Sequence, residues 1–237
     1  MPEETGMNKV KTGMDKFKEG LKKFHADKYE GDNKAIMQDL IDNGQHPEAL
    51  VIGCCDSRTS PANIMDTEPG ELFVERHIAA LVPPYEEGKN GDQLAAAIDY
   101  PVEHLGIKHV IIMGHTHCGG IAGLVEGVKE GSFGSWLQRA SDVIDRVKLK
   151  SIDLDDKAFL TAVEREAIVW SLENLKEYPS VKAAMAKGEL EVHGWQFDLR
   201  HGFIYAFDEA SEKFEKLIEF DSPEQSCCSH AKSKKPE

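Results

Sequence analysis

No run of this chain reaches the roughly 18 apolar residues that a membrane-spanning helix needs, and no early segment joins a basic start to an apolar core and a cleavage site. A soluble, cytoplasmic protein is expected. Positive charge is scarce as well. The 28 Lys and Arg stand against 42 Asp and Glu, a formal net charge of −14, and no basic face is available to meet a phosphate backbone. Nucleic acid and membrane are therefore set aside as partners. Cysteine is sparse and odd in number: the five fall at 54, 55, 118, 227 and 228, a poor disulfide framework. Reduced thiols serving a metal or a reaction fit that pattern better. Internal repeats are lacking too, which excludes a solenoid or propeller.

What is present suits one α/β core. At 237 residues and 41% hydrophobic, the chain can bury one sizeable core, and several independent domains are not expected. Residues 10–28 place Met14, Phe17, Leu21 and Phe24 at helical spacing among lysines, an amphipathic arm that could pack on its own core or on a neighbouring subunit. Ile36, Leu40 and Ile41 repeat the pattern over 34–43. The runs "ALVIG" (49–53), "LFVERH" (72–77) and "HVIIMG" (109–114) read as strands covered on both faces. Between the last two, residues 92–105 read as a helix that Pro101 kinks.

A long helix is expected from Asp156 to Glu177, with Phe159, Val163, Ala167 and Trp170 on one face and Glu164 to Glu166 on a solvated one. "LEVHGWQFD" and "GFIYAFD" read as a hairpin. Strands alternating with helices imply a mainly parallel central sheet flanked by helices, with an antiparallel edge hairpin near the C-terminus and an N-terminal helical arm. The divisions expected are an arm over 1–33, an α/β domain over 34–221 and a flexible tail over 222–237.

Chemistry gathers at two strand ends. "VIGCCDSRTSP" (51–61) follows the first strand and "GHTHCGG" (114–120) ends the third. In an open parallel sheet ligands collect beyond the carboxyl ends of strands, so Cys54, His115 and Cys118 converge. Two thiolates and an imidazole suit Zn²⁺, and three protein ligands leave the open position of a catalytic site. A structural site would need a fourth ligand, which His117 or Cys55 could supply. The bland reading of Cys55 is a small buried hydrophobe. Asp56 can orient a water or swing onto the metal, and Arg58 can hold that carboxylate in a two-pronged grip. Without the nearby thiols, the same pair reads as a turn-stabilising ion pair. The glycines lack the Lys and Ser/Thr of a phosphate loop, and instead permit close backbone approach where a helix begins.

"CCDSR" with "HTHC" resembles the C-x-D-S-R and H-x-x-C signatures of the β-class carbonic anhydrases. The likeness extends through "EPGELFVERHIAALVPPYE", "AAAIDYPVEHLGIKHVIIMGHTHCGG", "EREAIVWSLENL" and "HGWQFDLRHG", and covers about residues 34–210. It implies one Zn²⁺ per subunit on Cys54, His115 and Cys118, with Asp56 and Arg58 as the catalytic dyad. The implied reaction is reversible hydration of CO₂ to bicarbonate and a proton by hydroxide formed on the zinc. It also implies homodimers, wrapped by N-terminal helices, or homotetramers. His77, Tyr85 and His117 are candidate proton carriers.

The chain departs from the family at several positions. His77 stands where many members have Asn. Val51, Arg76 and Phe197 stand where bicarbonate-inhibited members have Trp, Arg and Tyr, so that regulatory pocket is expected to be missing or altered. Glu68 is matched to a substrate-contacting Gln of plant-like members, which puts that contact in doubt. Two other functions remain open on the residues: hydrolysis of CS₂ or COS at the same kind of centre, and a non-catalytic zinc-binding or thiol-regulated role. Cys227, Cys228 and His230 could form a second soft-metal site, although a tail with incidental thiols is the simpler view.

Overall fold

The computed structural model describes residues 13–31, 33–86, 93–150 and 153–219. The thiols of Cys227 and Cys228, and the expected boundary at 221, lie outside them. All six residues of β1 (Ala49–Cys54) are buried, as its continuous apolar run requires. Ahead of it come α1 (Gly13–Phe24), prolonged by a π-helical turn, and α2 (Asn33–Asn43). After it follow α3 (Pro61–Met65), β2 (Leu72–His77), α4 (Gln93–Tyr100) and β3 (His109–His115). Next come α5 (Gly119–Val125), α6 (Gly131–Leu137), α7 (Asp142–Lys150), α8 (Asp156–Leu175) and α9 (Pro179–Ala186). The chain closes with β4 (Glu191–Phe197), β5 (Ile204–Asp208) and β6 (Lys213–Lys216).

These strands form one sheet in the order β2-β1-β3-β4-β5-β6. The first four run parallel and the last two antiparallel. The mainly parallel sheet with its antiparallel edge is as expected, with two differences. β2 lies at the edge rather than under cover on both faces, and Val74 at its middle is 39% exposed. The hairpin gains a third strand, β6, where Phe214 packs against Phe207 with ring centroids 5.2 Å apart.

Side-chain alternation divides the core. Leu50, Ile52, Val110 and Ile112 face a cluster with Leu94 and Ile98 of α4, Ile168 and Leu172 of α8 and Val181 of α9. Fully burying each such side chain contributes roughly 1.5–3 kcal/mol. α8 sits close to the sheet because Gly114 has no side chain: a Cβ there would lie 2.7 Å from Ile168 Cδ1. On the opposite face Val51, Ile111 and Met113 pack with Ile64, Met65 and Trp195. Where one helix kinked at Pro101 was expected, α4 ends at Tyr100 and Pro101 opens a π-helical turn to Leu105, which Gly106 closes at φ +65°.

Two expectations about carboxylates fail. Glu164 and Glu166 are buried within α8, not solvated. Ion pairs from Lys150 at 2.8 Å and Arg146 at 3.6 Å cover Glu166, because α7 packs over this part of α8. The arm agrees with the sequence in the opposite sense: Met14, Phe17, Leu21 and Phe24 are all more than half exposed and meet no core among the described residues.

Candidate metal centre

Cys54 ends β1, His115 ends β3, and Cys118 caps the amino end of α5. β1 and β3 are adjacent and parallel, so their carboxyl ends deliver the three residues to one point. Their ligand atoms all lie within 4.8 Å of one another, and all three residues are buried. His115 Nδ1 is engaged with the Thr116 carbonyl at 2.9 Å. That contact turns Nε2 toward the sulfurs, where it is buried without a hydrogen-bond partner. Such an orphan calls for an explanation, and a metal supplies one. The donor set of two sulfurs and one imidazole nitrogen fits Zn²⁺.

The charges favour a cation. The Cys118 thiol against Cys54, with further help from His115, holds Cys54 well below the usual thiol range. Burial works to lower the His115 pKa, but the Cys54 thiolate, the Thr116 carbonyl and Asp56 together outweigh it and the net direction is upward. The hydrogen bond to Cys54 and burial hold the Cys118 thiol up, so one thiolate, one thiol and an imidazole share a buried space where a divalent ion can take the place of protons.

The turn after β1 is tied down from several sides. Arg76 donates through Nε to the Cys54 carbonyl at 2.8 Å and through Nη2 to the Asp56 carbonyl at 2.7 Å. Thr59 Oγ1 donates to the Asp56 carbonyl at 3.0 Å. Arg58 grips Asp56 as expected, with Nε to Oδ1 at 2.9 Å and Nη2 to Oδ2 at 2.7 Å. This contact first, and the Arg58 backbone N–H with it, holds the Asp56 carboxyl well below the usual carboxylate range. Asp56 Oδ2 stands 4.0 Å from His115 Nε2. The carboxylate therefore borders the centre while it is oriented from outside.

Neither candidate for a fourth protein ligand joins the cluster. Cys55 is exposed, not the buried hydrophobe expected, because the chain leaves the sheet there and its N–H donates to the His77 carbonyl at 3.1 Å. His117 is exposed with a left-handed backbone at φ +57°, and its carbonyl accepts from Arg58 Nη2 at 3.3 Å.

Of the other proton-carrier candidates, His77 is enclosed, with Nε2 2.8 Å from the Leu81 carbonyl and its ring edge-on to Trp136. Tyr85 packs edge-on against Tyr178. Val51 is sealed inside the sheet and Arg76 is committed to two carbonyls, so the charge that could hold a regulatory anion is already engaged. Glu68 lies in the turn leading into β2, at the opposite end of the sheet from the centre, so within one chain it does not line this site.

One residue of the centre was misread. Glu164 Oε1 accepts the Cys118 N–H at 3.0 Å from within α8. Burial pushes its carboxyl up, against the N–H groups of Cys118 and His117 that lower it. The signal was present in the spacing, since Glu164 shares a helical stripe with the apolar Ala167 and Ile168. Gly120 also answers its expectation. A Cβ there would lie 2.9 Å from Ala79 Cβ, so the start of α5 can press against the segment after β2.

Comparison with known proteins is consistent with this geometry. The profile of the carbonic anhydrase family matches residues 49–204. Beta carbonic anhydrase 3 of Arabidopsis thaliana is 34% identical over 172 residues, covering 70% of this chain and 66% of the relative's length. The solved β-carbonic anhydrase CcaA superposes with a TM-score of 0.79 at 30% identity, over 87% of this chain and 92% of the other. A β-carbonic anhydrase of Sordaria macrospora, one of two described as tetrameric, gives a TM-score of 0.70 at 32% identity, over 81% and 96% of the two chains.

Proposed function

The chain belongs to the β class of the carbonic anhydrase family, and from that premise we propose that it catalyses the reversible hydration of CO₂ to bicarbonate and a proton, with one Zn²⁺ per subunit. Cys54, His115 and Cys118 are the residues that would hold the ion. When bound, zinc supplies the Lewis acidity that makes water a nucleophile near neutral pH. The observation that carries this reading is the buried, unpartnered Nε2 of His115 between two sulfurs and beside the Asp56–Arg58 pair.

The chain's own groups supply the rest of the chemistry. Asp56 accepts a proton or hydrogen bond from the reacting water, at the oxygen that faces the centre. Arg58 keeps that carboxylate ionised and fixes its plane through two parallel hydrogen bonds. The Thr116 carbonyl fixes the His115 ring, and Glu164 fixes the start of α5. His117, exposed beside the dyad, is placed to pass protons to solvent.

Residues 34–221 form the catalytic domain in this reading, and the arm over 1–33 joins subunits into a dimer or tetramer through its uncovered stripe. A reducing, cytoplasmic setting suits Cys54 and Cys118, which face each other as free thiols. The decisive experiment is stopped-flow CO₂ hydration with metal-replete protein across pH, beside Cys54→Ser. A clear catalysed rate that disappears with zinc in the variant is expected. A wild-type rate no faster than the uncatalysed reaction at every pH sinks the proposal, and turnover of CS₂ or COS instead would redirect it.

A further inference from the structure

A second group of metal-competent side chains lies at the other end of the sheet. His109 begins β3, and Glu191 begins β4 directly beside it in register. His193 stands one pleat further along β4, on the same face as both. His109 Nδ1 is 3.2 Å from His193 Nε2. Glu191 Oε2 is 3.7 Å from the first nitrogen and 3.8 Å from the second. His109 and His115 are the two ends of one strand, which at about 3.3 Å per residue puts this group about 20 Å from the Cys–His–Cys centre.

The triangle has the dimensions of a coordination face. Donors each about 2.0–2.1 Å from a common tetrahedral ion stand about 3.3–3.4 Å apart, so closing onto an ion needs movements of only a few tenths of an ångström. Regular strands, not loops, set the spacing: the Glu191 N–H donates to the Lys108 carbonyl at 2.9 Å and holds the start of β4 against β3. Both rings are partly open to solvent, with side-chain exposures of 43% for His109 and 33% for His193, so water can complete the shell.

The donor set selects the ion. Two imidazoles and a single carboxylate suit Zn²⁺, Ni²⁺ or Cu²⁺ and are too poor in oxygen for Ca²⁺ or Mg²⁺. A net charge of −14 draws cations to the surface. We infer that His109, Glu191 and His193 form a second, surface site for a divalent transition-metal ion, independent of the catalytic centre and clamping the amino ends of β3 and β4.

Cobalt(II) is the probe that separates the two sites. It is titrated into the full chain carrying Cys227→Ser and Cys228→Ser, so that the tail thiols cannot contribute. Two equivalents are expected, one with a sulfur-to-cobalt charge-transfer band and one without. Cys54→Ser removes only the first. His193→Gln, which keeps size and polarity, and the exposed change Glu191→Gln each weaken the second by at least about tenfold. Both leave the band and the CO₂ hydration rate of the parent protein intact. Binding of no equivalent beyond the one with the band overturns the inference. So does a bandless equivalent that persists at full affinity in the His109→Ala/His193→Ala protein. Loss of the band alone counts against the catalytic centre and leaves this site standing.

Discussion

Glu164 reaches from the middle of α8 to accept the Cys118 N–H through Oε1 at 3.0 Å, linking two residues 46 positions apart. The contact ties the first turn of α5, and with it a candidate metal thiolate, to the longest helix of the fold. Glu164→Ala leaves a buried N–H without an acceptor, a loss of about 1–3 kcal/mol. Glu164→Gln keeps an acceptor oxygen and restores most of that stability. Urea melts and zinc content measured on both variants check this. Equal losses in the two would show that the hydrogen bond is not the cause.

The Asp56–Arg58 pair acts as one unit. Asp56→Asn is expected to slow CO₂ hydration by about 10²-fold or more. Arg58→Ala slows it in the same direction, and the double variant is little worse than Asp56→Asn alone. Arg58 holds the Asp56 carboxyl low, so its removal lets that pKa rise and moves the acid limb of the pH–rate profile to higher pH. Stopped-flow rates over the acid range show whether the limb moves.

Asp198, one residue beyond the Phe197 that pairs with His115, offers a second pH test. Burial alone would raise its pKa, but the His201 ring at 2.7 Å and the Arg200 N–H at 2.8 Å outweigh it, and the folded value is depressed. A depressed carboxylate stabilises the fold above its unfolded pKa of about 3.9 and loses that contribution as pH falls through the folded value. The stability gap between wild type and Asp198→Ala is therefore constant near neutrality and narrows in acid. Denaturant midpoints at pH 7 and below pH 4 measure it.

In the proposed assembly the arm carries the subunit contact. Phe17→Glu combined with Leu21→Glu places charge on the uncovered stripe of α1, where both residues are 65% or more exposed within the chain. The mass by light scattering is expected to fall by half or to a monomer, with little change in the melting of the sheet. An unchanged mass would move the interface elsewhere.

The sequence was most readable where one physical cause acted alone. β1 and β3 are covered on both faces, so their apolar runs announced them, and their shared carboxyl ends brought Cys54, His115 and Cys118 together. β2 carries a similar apolar start, yet it is an edge, because strand order depends on contacts made far along the chain. β6 reads "KFEK", four residues with two lysines, and forms only because Phe214 has Phe207 beside it. Glu164 was missed because acidic residues on helices are mostly solvated. Here the N–H of Cys118 supplies what water would otherwise provide. Cys55 shows the limit of alternation: the pleat predicts a face only while the strand lasts, and β1 stops one residue earlier.

Both neighbours of β1 in the sheet, β2 and β3, come later in the chain. On the ribosome, Cys54 emerges first and Asp56 and Arg58 follow closely, well before His115 and Cys118 have emerged. Loading of the proposed zinc site has to wait for β3 to dock, and until then the first thiol is open to any oxidant it meets.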